Sequence, residues 1–447
     1  MKAPICDFVR DYCASGSVRL HMPGHKGRAF LGMEEYDITE ISGADALYRA
    51  RGIIRESEEN AARLFGAERT LYSTEGSSLC IRAMLHLVQI YAKKRGLPLR
   101  IAAGRNAHKT LLDAAALLDA EVEWLYPEQE SGPVACCLTG EDVERQLNAL
   151  TQKPVAVYIT SPDYLGNISD IADIAAVCHR QGILLLVDNA HGAYLRFLPE
   201  DRHPIFLGAD LCCDSAHKTL PALTGGAYLH LAHSLPDFLK DSAERALSLF
   251  ASTSPSYLIL QSLDKTNGYL AEGYREKLKT LAGRMALLKQ RLCARGYGIV
   301  GDEAIKLTLA PKSYGFSGDA LHDALRKENI ECEFSDPDYL VAMATPENDS
   351  SDLEKLERAL CSLPRRTAID VAPPTLPRPE RALSIRQALL APQKEMPVAD
   401  CLGRVLGDAS VSCPPAVPIL ICGERIDEGA IRCFQYYGIE RCCTVDE

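Results

Sequence analysis

Two residues at the ends of short apolar segments could form a reactive site. Asp188 follows the apolar run Ile183 to Val187, and Lys218 follows a second run, Ala209 to Cys213, 30 residues further along. If both runs are strands of one parallel sheet, their side chains reach a single crevice beyond the strand ends. A lysine can form an imine with a carbonyl cofactor, and a carboxylate can keep a pyridine nitrogen protonated. The pairing indicates pyridoxal phosphate (PLP) chemistry, although Lys218 taken alone would be a solvated surface lysine.

A second group of residues could bind the phosphate of such a cofactor. The segment STEGSSLCIRAM places Gly76, Ser77 and Ser78 where a strand gives way to a helix. Glycine allows the backbone to approach a ligand, and the N–H groups and hydroxyls at a helix start can bind an anion. Ser215 and His217, in the segment SAHK, are two further donors. The alternative for the serines of the first segment is an ordinary helix N-cap.

The segment RNAHKT carries a histidine just after a predicted strand. His108 could lie flat on a cofactor ring, or it could be a loop histidine that bonds to backbone groups. Arg105, Asn106 and Lys109 in the same segment are interpreted as surface or capping residues.

The elements that must position these residues alternate between strands and helices. Short buried runs between helical segments predict a parallel sheet covered on both faces, and so an α/β fold. The predicted strands are Thr70 to Ser73, Arg100 to Ala103, Val155 to Thr160, Ile183 to Val187 and Ala209 to Cys213, and an apolar strand follows the turn at Gly225 and Gly226. The predicted helices are Glu56 to Phe65, Ser77 to Lys94, Lys109 to Ala120 and Ile171 to Arg180.

Five segments are predicted along the chain. Residues 1–50 form an N-terminal arm, 51–265 the large cofactor domain, and 266–363 a small α/β domain. A long helical region is predicted from about Ser262 to Arg295, across the boundary between the last two. Residues 364–378 contain four prolines and few apolar residues, which is typical of a linker. Residues 379–447 form a C-terminal domain.

Composition restricts the function classes. The net charge of the 447-residue chain is -11, which argues against general binding to nucleic acid or to anionic membranes. No basic and apolar leader and no membrane-length apolar run is visible, so we expect a cytoplasmic protein. The 17 cysteines do not have the spacing of zinc sites and are interpreted as reduced thiols, with no metal site expected.

The sequence resembles a known family, the Orn/Lys/Arg decarboxylases, which are PLP enzymes of the aspartate-aminotransferase fold type. The resemblance extends over nearly the whole chain and is most specific in HMPGHKG and SAHKTLPALTGG. It also includes DITEISGADAL, GIIRESEENAARLFGAERT, EGSS, RNAHKT, SPDYLG, VDNAHGAY, STSPSYLILQSLD and PPAVPI. It implies a large domain with a mostly parallel seven-stranded sheet, a small α/β domain and a C-terminal α+β domain. The length resembles the shorter form of the family.

The resemblance implies a role for each candidate residue. Lys218 would be the imine lysine, Asp188 the partner of the ring nitrogen, and His108 and Ala190 the contacts of the two ring faces. The phosphate would be held by Ser77, Ser78, Ser215 and His217.

The segment STSPSY is implied to reach the cofactor phosphate of a neighbouring subunit through Ser252, Thr253 and Ser254. The alternative is that Ser254 or Ser256 caps the following helix. The arm from His21 to Gly27 would border the active site. We therefore expect a homodimer or a multiple of it.

The implied reaction is α-decarboxylation of arginine, lysine or ornithine, giving CO2 and an amine of the polyamine pathways. The candidates for binding the distal cation of this substrate are Asp45, Glu40 and Glu424. Another PLP reaction, such as aminotransfer or elimination, and a catalytically inactive PLP-binding protein stay open as alternatives. Several positions depart from the family pattern. Asn189 stands where Glu is usual, Tyr194 where His is common, and Glu75 where a neutral polar residue is frequent. Leu79, Cys80 and Ile81 replace smaller or amide residues, and ALYRARG replaces a stretch that often carries His and Pro.

Overall fold

The computed structural model describes residues 1–128, 136–412 and 418–446. The first helices in chain order are α1 (Pro4–Ala14), α2 (Ile53–Phe65), α3 (Gly76–Arg95), α4 (Lys109–Leu118), α5 (Gly140–Ala149), α6 (Ile171–Arg180) and α7 (Ala216–Thr219). The later helices are α8 (Asp237–Ser248), α9 (Tyr257–Ala271), α10 (Tyr274–Arg295), α11 (Gly318–Lys327), α12 (Ser350–Ser362), α13 (Ile385–Leu389) and α14 (Glu428–Tyr436).

The strands belong to four sheets. The first seven strands are β1 (Arg69–Ser73), β2 (Arg100–Gly104), β3 (Glu121–Leu125), β4 (Ala156–Thr160), β5 (Leu184–Asp188), β6 (Leu211–Asp214) and β7 (Ala227–Leu231). The remaining strands are β8 (Gly298–Val300), β9 (Lys306–Ala310), β10 (Phe334–Ser335), β11 (Leu340–Met343), β12 (Gln393–Pro397), β13 (Ser410–Ser412), β14 (Pro418–Ile421) and β15 (Arg441–Val445).

The large sheet has the strand order β1-β7-β6-β5-β4-β2-β3. Strands β5 and β6 are parallel, as are β2 and β3, whereas β7 is antiparallel to both of its neighbours. Every residue of β5 and β6 is buried, as expected for central strands covered on both faces. The predicted mostly parallel seven-stranded sheet is confirmed, and β3 is a strand that the sequence analysis did not predict.

The chain divides into two compact units. The first contains residues 1–99, 155–157 and 171–277, and the second contains residues 100–154, 158–170 and 278–447. The five predicted segments stay a prediction about domain boundaries. The predicted helical region from Ser262 to Arg295 is two helices, α9 and α10, separated at Glu272 and Gly273. Gly273 has a φ of +76°, a left-handed conformation that ends a helix.

The second unit contains the smaller sheets. A four-stranded sheet has the order β10-β11-β9-β8, and two pairs, β12 with β15 and β13 with β14, follow nearer the C-terminus. These sheets and their helices confirm the predicted small α/β and C-terminal α+β parts. Residues 364–378 contain no helix or strand, and their role as a linker stays a prediction. In the motif PPAVPI, residues 414–417 lie outside the described residues.

Two features bear on the protein class. None of the described helices is both long and apolar enough to cross a membrane. The sixteen cysteines that the structure describes are free thiols, and nine of them are buried.

Candidate active site

The ends of β5 and β6 bring the two candidate reactive residues to the same edge of the sheet. Asp188 is the last residue of β5 and is paired in register with Cys213 of β6. One residue after β6, Ser215 precedes the single turn of α7, which carries Lys218. Because β5 and β6 run parallel, the segments that follow them leave the sheet in the same direction. The structure therefore places Asp188 at the end of β5 and Lys218 in the helical turn that follows the adjacent strand β6.

The Lys218 amine is held by a histidine that the sequence analysis did not single out. Its Nζ lies 3.0 Å from Nε2 of His191, whose side chain is buried. An ammonium can only donate, so Nε2 accepts when the lysine is charged. His191 stands three residues after Asp188 in the motif VDNAHGAY, and that position was the available signal. This contact gives the site a group that can exchange a proton with the lysine.

Asp188 lies in a buried environment with polar neighbours. Its Oδ1 accepts a hydrogen bond from the Ala190 backbone N–H at 3.2 Å and lies 3.6 Å from Sγ of Cys213. Burial, and then the neighbouring Asp188 carboxylate, raise the pKa of the Cys213 thiol well above its usual value. The thiol therefore stays protonated and can donate to the carboxylate.

A set of hydroxyls and backbone N–H groups lies at the start of α3. Gly76 opens this helix with a φ of +72°, a conformation that favours glycine. Ser77 and Ser78 occupy the first turn, where helical N–H groups have no acceptor within the helix. The hydroxyl of Ser215 donates to that of Ser77 at 2.8 Å. The N-cap residue is Glu75, so Ser77 and Ser78 are not ordinary capping serines.

A hydrogen-bond partner of His217 decides which of its ring nitrogens carries a hydrogen. Its Nδ1 lies 3.0 Å from the carbonyl oxygen of Gly226, which only accepts, so Nδ1 carries a hydrogen. In the neutral ring Nε2 is then an acceptor, and it donates only when the ring is protonated. His217 could thus donate to a phosphate through Nε2 as an imidazolium.

The serines of the STSPSY segment differ in what they contact. Ser256 caps α9, accepting from the Ile259 N–H at 3.4 Å. Ser252 and Ser254 are exposed and do not cap the helix, and the backbone N–H of Ser252 donates to Oε1 of Glu75 at 2.8 Å. The capping alternative therefore applies to Ser256, while the segment itself is tied to the residue that precedes Gly76.

His108 belongs to the second unit. It is the N-cap of α4, and its Nδ1 lies 3.3 Å from the Thr110 N–H and 2.9 Å from the Thr110 hydroxyl. The side chain is exposed. Its contact with a cofactor ring stays a prediction from the resemblance.

Arg105 and Glu424, also in the second unit, differ from their predicted roles. Arg105 makes two hydrogen bonds of 2.8 Å to the carboxylate of Glu424, and both side chains are buried. The interpretation of Arg105 as a surface or capping residue is wrong, and Asn106 is buried as well. Glu424 is neutralised by Arg105 and also accepts from the Ile421 N–H. It is therefore not available for the cation of a substrate.

The other two acidic candidates differ in their availability. Asp45 accepts hydrogen bonds from the backbone N–H groups of Ala46, Arg51, Gly52 and Ile54, and so fixes the start of α2. Glu40 is exposed, and within the described residues its carboxylate has no hydrogen bond or ion pair. Of the three candidates, Glu40 alone is available to a ligand.

The residues of the first unit fit PLP. They supply a primary amine, a carboxylate at a neighbouring strand end, and a helix start with hydroxyls for a phosphate, which are the three kinds of group that this cofactor needs. The fold and these side chains define the class of protein as an α/β enzyme of the PLP-dependent fold type I.

Comparison with known proteins narrows this class. The family description "Orn/Lys/Arg decarboxylase, major domain" matches residues 3–299, and the chain belongs to this family of PLP-dependent enzymes. The arginine decarboxylase of Bacillus subtilis is 30% identical over 96% of this chain and 92% of its own length. The arginine decarboxylase of Halalkalibacterium halodurans is 29% identical over 96% and 91% of the two chains.

Solved structures show the same fold. The lysine decarboxylase of Francisella novicida superposes with a TM-score of 0.81 at 17% identity, covering 99% of this chain and 81% of that one. The constitutive lysine decarboxylase of Escherichia coli gives a TM-score of 0.78 at 19% identity, covering 100% and 82%. The predicted family and fold class are confirmed.

Proposed function

We propose that the protein binds PLP on Lys218 and removes the α-carboxylate of a basic amino acid as CO2. The observation that carries the proposal is the arrangement at the ends of β5 and β6, where Asp188 and Lys218 leave adjacent parallel strands and His191 contacts the lysine amine. Membership of the Orn/Lys/Arg decarboxylase family supports decarboxylation over the other reactions of this cofactor.

The remaining site residues receive binding roles in this proposal. Asp188 would pair with the ring nitrogen, and His108 and Ala190 would contact the ring faces, as the resemblance implies. The phosphate would be bound at the start of α3 and at the turn before Lys218. That set comprises Gly76, Ser77, Ser78, Ser215 and His217, with Ser252 and Ser254 serving the site of a second subunit.

When bound, PLP supplies a protonated ring that takes up the electron pair left on Cα as CO2 departs. The carboxylate of Asp188 keeps the proton on the ring nitrogen through a charge-assisted hydrogen bond. His191 holds a proton at Nε2 or passes it to Nζ of Lys218. This exchange lets the lysine amine leave the cofactor and bind it again. Asp188 and His191 are buried, whereas Lys218 is exposed.

The substrate is a basic amino acid, and the relatives that match almost the full chain support arginine. We assign the distal cation of the substrate to Glu40, because Asp45 and Glu424 are occupied by other groups. An exposed carboxylate in the N-terminal arm can pair with a guanidinium through two parallel hydrogen bonds. Glu40→Gln should raise KM for arginine, while the amount of bound PLP should stay the same.

The experiment measures CO2 and amine together, with arginine, lysine and ornithine as substrates. Equal amounts of CO2 and amine from one of the three support the proposal. Amino-group transfer to a keto acid would favour an aminotransferase, and PLP binding without turnover of any of the three would favour an inactive PLP-binding protein.

The attachment site is tested separately by borohydride reduction and peptide mapping. The pyridoxyl group should be found on Lys218 in the wild type and should be lost in Lys218→Ala. Lys265→Ala, which changes an exposed lysine of α9, serves as the matched control and should retain it. A pyridoxyl group on another lysine would overturn the assignment.

A further inference from the structure

A buried carboxylate at the end of β6 has no place in the proposed mechanism. Oδ1 of Asp214 accepts a hydrogen bond of 2.7 Å from Nδ2 of Asn189, and Oδ2 lies 3.1 Å from Nε2 of His203 and 3.2 Å from Nε2 of His230. All four side chains are inaccessible to solvent. We call these four residues the Asp214 cluster.

The hydrogen positions follow from the outer contacts of the histidines. Nδ1 of His203 lies 3.4 Å from the Ile205 backbone N–H, which only donates, so Nδ1 is an acceptor and Nε2 carries the hydrogen. Nδ1 of His230 lies 2.8 Å from the Thr70 hydroxyl, which can donate to it. Burial lowers the pKa of His230, which favours the neutral ring. Both histidines can then donate to Asp214 through Nε2.

This arrangement decides between a metal site and a hydrogen-bonded anion. The ligating atoms of Asp214, His203 and His230 lie within 4.8 Å of one another, which is close enough for a shared ion. A metal would need the lone pair of each Nε2, whereas in His203 that nitrogen carries a hydrogen. Burial opposes ionisation of Asp214, yet the two histidines hold its pKa well below the usual range. The cluster is therefore one carboxylate bound by three N–H donors, with the Cys212 thiol 3.6 Å from Oδ1.

The cluster joins the two segments that carry the candidate active site. Asn189 directly follows Asp188, and its backbone N–H makes a bond of 2.9 Å to the carbonyl oxygen of Cys213 in β6. Asp214 directly precedes Ser215. The side-chain pair between positions 189 and 214 is thus the first cross-link beyond that backbone bond, and the contact from Lys218 to His191 comes next along the same two segments.

The orientation of the Asn189 amide is fixed. Its Oδ1 is buried and has no hydrogen-bond partner among the described residues. A Cβ at position 192 would lie only 1.9 Å from this oxygen, so the chain passes it only as Gly192. Reversing the amide would turn Oδ1 towards the Asp214 carboxylate, and two acceptors would then face each other. The charge of Asp214 therefore holds the Asn189 amide in one orientation, at the start of the turn to Gly192 that includes His191.

We propose that Asp214 is a positioning residue of the active site, whose carboxylate fixes Asn189 and thereby holds Asp188 and His191 in place relative to Lys218. This inference rests on the roles proposed for Lys218 and Asp188. It predicts that the carboxylate and the amide act as a pair and can be exchanged between the two strand ends.

The test compares Asp214→Asn, Asn189→Asp and the double variant that combines them. The first change leaves two amides facing each other and the second leaves two carboxylates, whereas the double variant restores one of each. We expect each single change to raise the dissociation constant for PLP about tenfold or more, which corresponds to about 1.4 kcal/mol. It should also alter the visible circular dichroism of the bound cofactor. The double variant should recover both properties in part, because a carboxylate at position 189 regains an amide partner but not the donors His203 and His230.

A matched control separates positioning from general stability. Asp264 is another buried carboxylate of the first unit, and it accepts from the backbone N–H groups of Ile5 and Cys6 and from the Ser57 hydroxyl. Asp264→Asn should lower the unfolding midpoint without changing the affinity for PLP or the circular dichroism of the cofactor. If the cluster variants behaved like this control, Asp214 would have a structural role only and the proposal would be wrong.

Three further outcomes are decisive. If neither single variant folds, the double variant decides alone. A double variant that is also unfolded, or that binds no PLP, contradicts the exchange. A stoichiometric metal ion in the purified wild type would overturn the hydrogen-bonded cluster. The free energies of unfolding of the cofactor-free variants measure the coupling between positions 189 and 214 without PLP. If the pyridoxyl group did not map to Lys218, the proposed function would be wrong, but this coupling could still be measured.

Discussion

The positions of three site residues are coupled by single hydrogen bonds and by one short backbone segment. These residues are Lys218, His191 and Asp188. The lysine amine contacts Nε2 of His191, and Asp188 accepts from the backbone of Ala190, which lies between Asp188 and His191 in sequence. A displacement of this short segment would change the positions of the proton-exchanging group and of the carboxylate together. The chemistry of the site therefore depends on a few residues that follow two strands.

Asp188→Asn should retain the cofactor and lose most of the turnover. The amide cannot keep a proton on the ring nitrogen, while the phosphate contacts at the start of α3 are unchanged. Each tenfold fall in kcat corresponds to about 1.4 kcal/mol in the barrier, and we expect a fall of several powers of ten. Steady-state kinetics and a PLP titration measure the two effects. Turnover near the wild-type rate would contradict the role assigned to Asp188.

Glu58 gives the stability of the fold a pH dependence. Burial, together with the nearby Glu244 carboxylate, raises its pKa from 4.5 to about 8, although the Tyr72 N–H, Arg69 and Arg55 act in the opposite direction. The folded protein therefore binds a proton on Glu58 between pH 4.5 and about 8, where the unfolded chain has released it. The stability contributed by this proton is complete below pH 4.5 and is lost as the pH rises to about 8.

Glu58→Gln should remove this dependence, because the amide does not titrate. Chemical denaturation at pH 6 and pH 9 measures the free energy of unfolding of both proteins. Between pH 6 and pH 9 the free energy of unfolding of the variant should rise relative to that of the wild type. The rise should be about 1.4 kcal/mol for each pH unit over which folded Glu58 holds a proton that the unfolded chain has released. The control is Glu59→Gln, which changes the exposed neighbouring residue. An equal difference at both pH values would show that Glu58 has an ordinary pKa.

Among the elements, the Arg105–Glu424 ion pair joins the segment after β2 to the segment after β14. Arg105 also lies 5.4 Å from the ring of Trp124 in β3, which provides a cation–π contact. Glu424→Gln leaves the Arg105 guanidinium buried without its counter-charge, a change that costs about 3–5 kcal/mol. We expect a loss of that size in the free energy of unfolding.

Two comparisons test this interpretation of the ion pair. The double variant Arg105→Met, Glu424→Leu should be more stable than Glu424→Gln, because neither partner is then left charged and unpaired. Glu357→Gln breaks the more exposed pair with Arg291 and should cost about 1 kcal/mol or less. If Glu424→Gln cost no more than Glu357→Gln, the buried pair would not contribute as described.

At the scale of the whole molecule, the N-terminal arm exposes many apolar side chains. Its exposed large apolar residues between positions 18 and 36 are Val18, Leu20, Met22, Phe30, Leu31, Met33 and Tyr36. A surface of this kind is typical of an interface between subunits. Together with the exposed hydroxyls of Ser252 and Ser254, it supports the proposed homodimer with a shared cofactor site.

Leu31→Glu should weaken the dimer and, with it, the binding of PLP. A charge in an apolar interface must be desolvated without a partner, so association becomes less favourable. If PLP binds only to the dimer, its addition should in turn favour the dimer. Sedimentation with and without PLP measures both effects, and Leu117→Glu, at an exposed leucine of α4, is the control.

The serine segment is tested by the double variant Ser252→Ala, Ser254→Ala. It should keep the dimer but bind PLP more weakly, because the two hydroxyls assigned to the phosphate are removed, together with the bond from the Ser254 N–H to the Ser252 hydroxyl. A wild-type monomer that binds PLP and turns over at the full rate would refute the shared site.

The sequence alone determined the large sheet, most of its helices, the two strand ends that carry Asp188 and Lys218, and the family. The element types depend on local patterns, because apolar periodicity sets them and parallel strands place their ends at one edge. The family and the number of strands in the sheet were implied by the resemblance of the sequence motifs. Only the tertiary structure could show which polar groups pair in the interior. Arg105 and Glu424 are 319 residues apart, and Asn189 meets Asp214 across 25 residues. A buried charge must find a partner wherever the fold brings one, so its position in the chain does not disclose that partner.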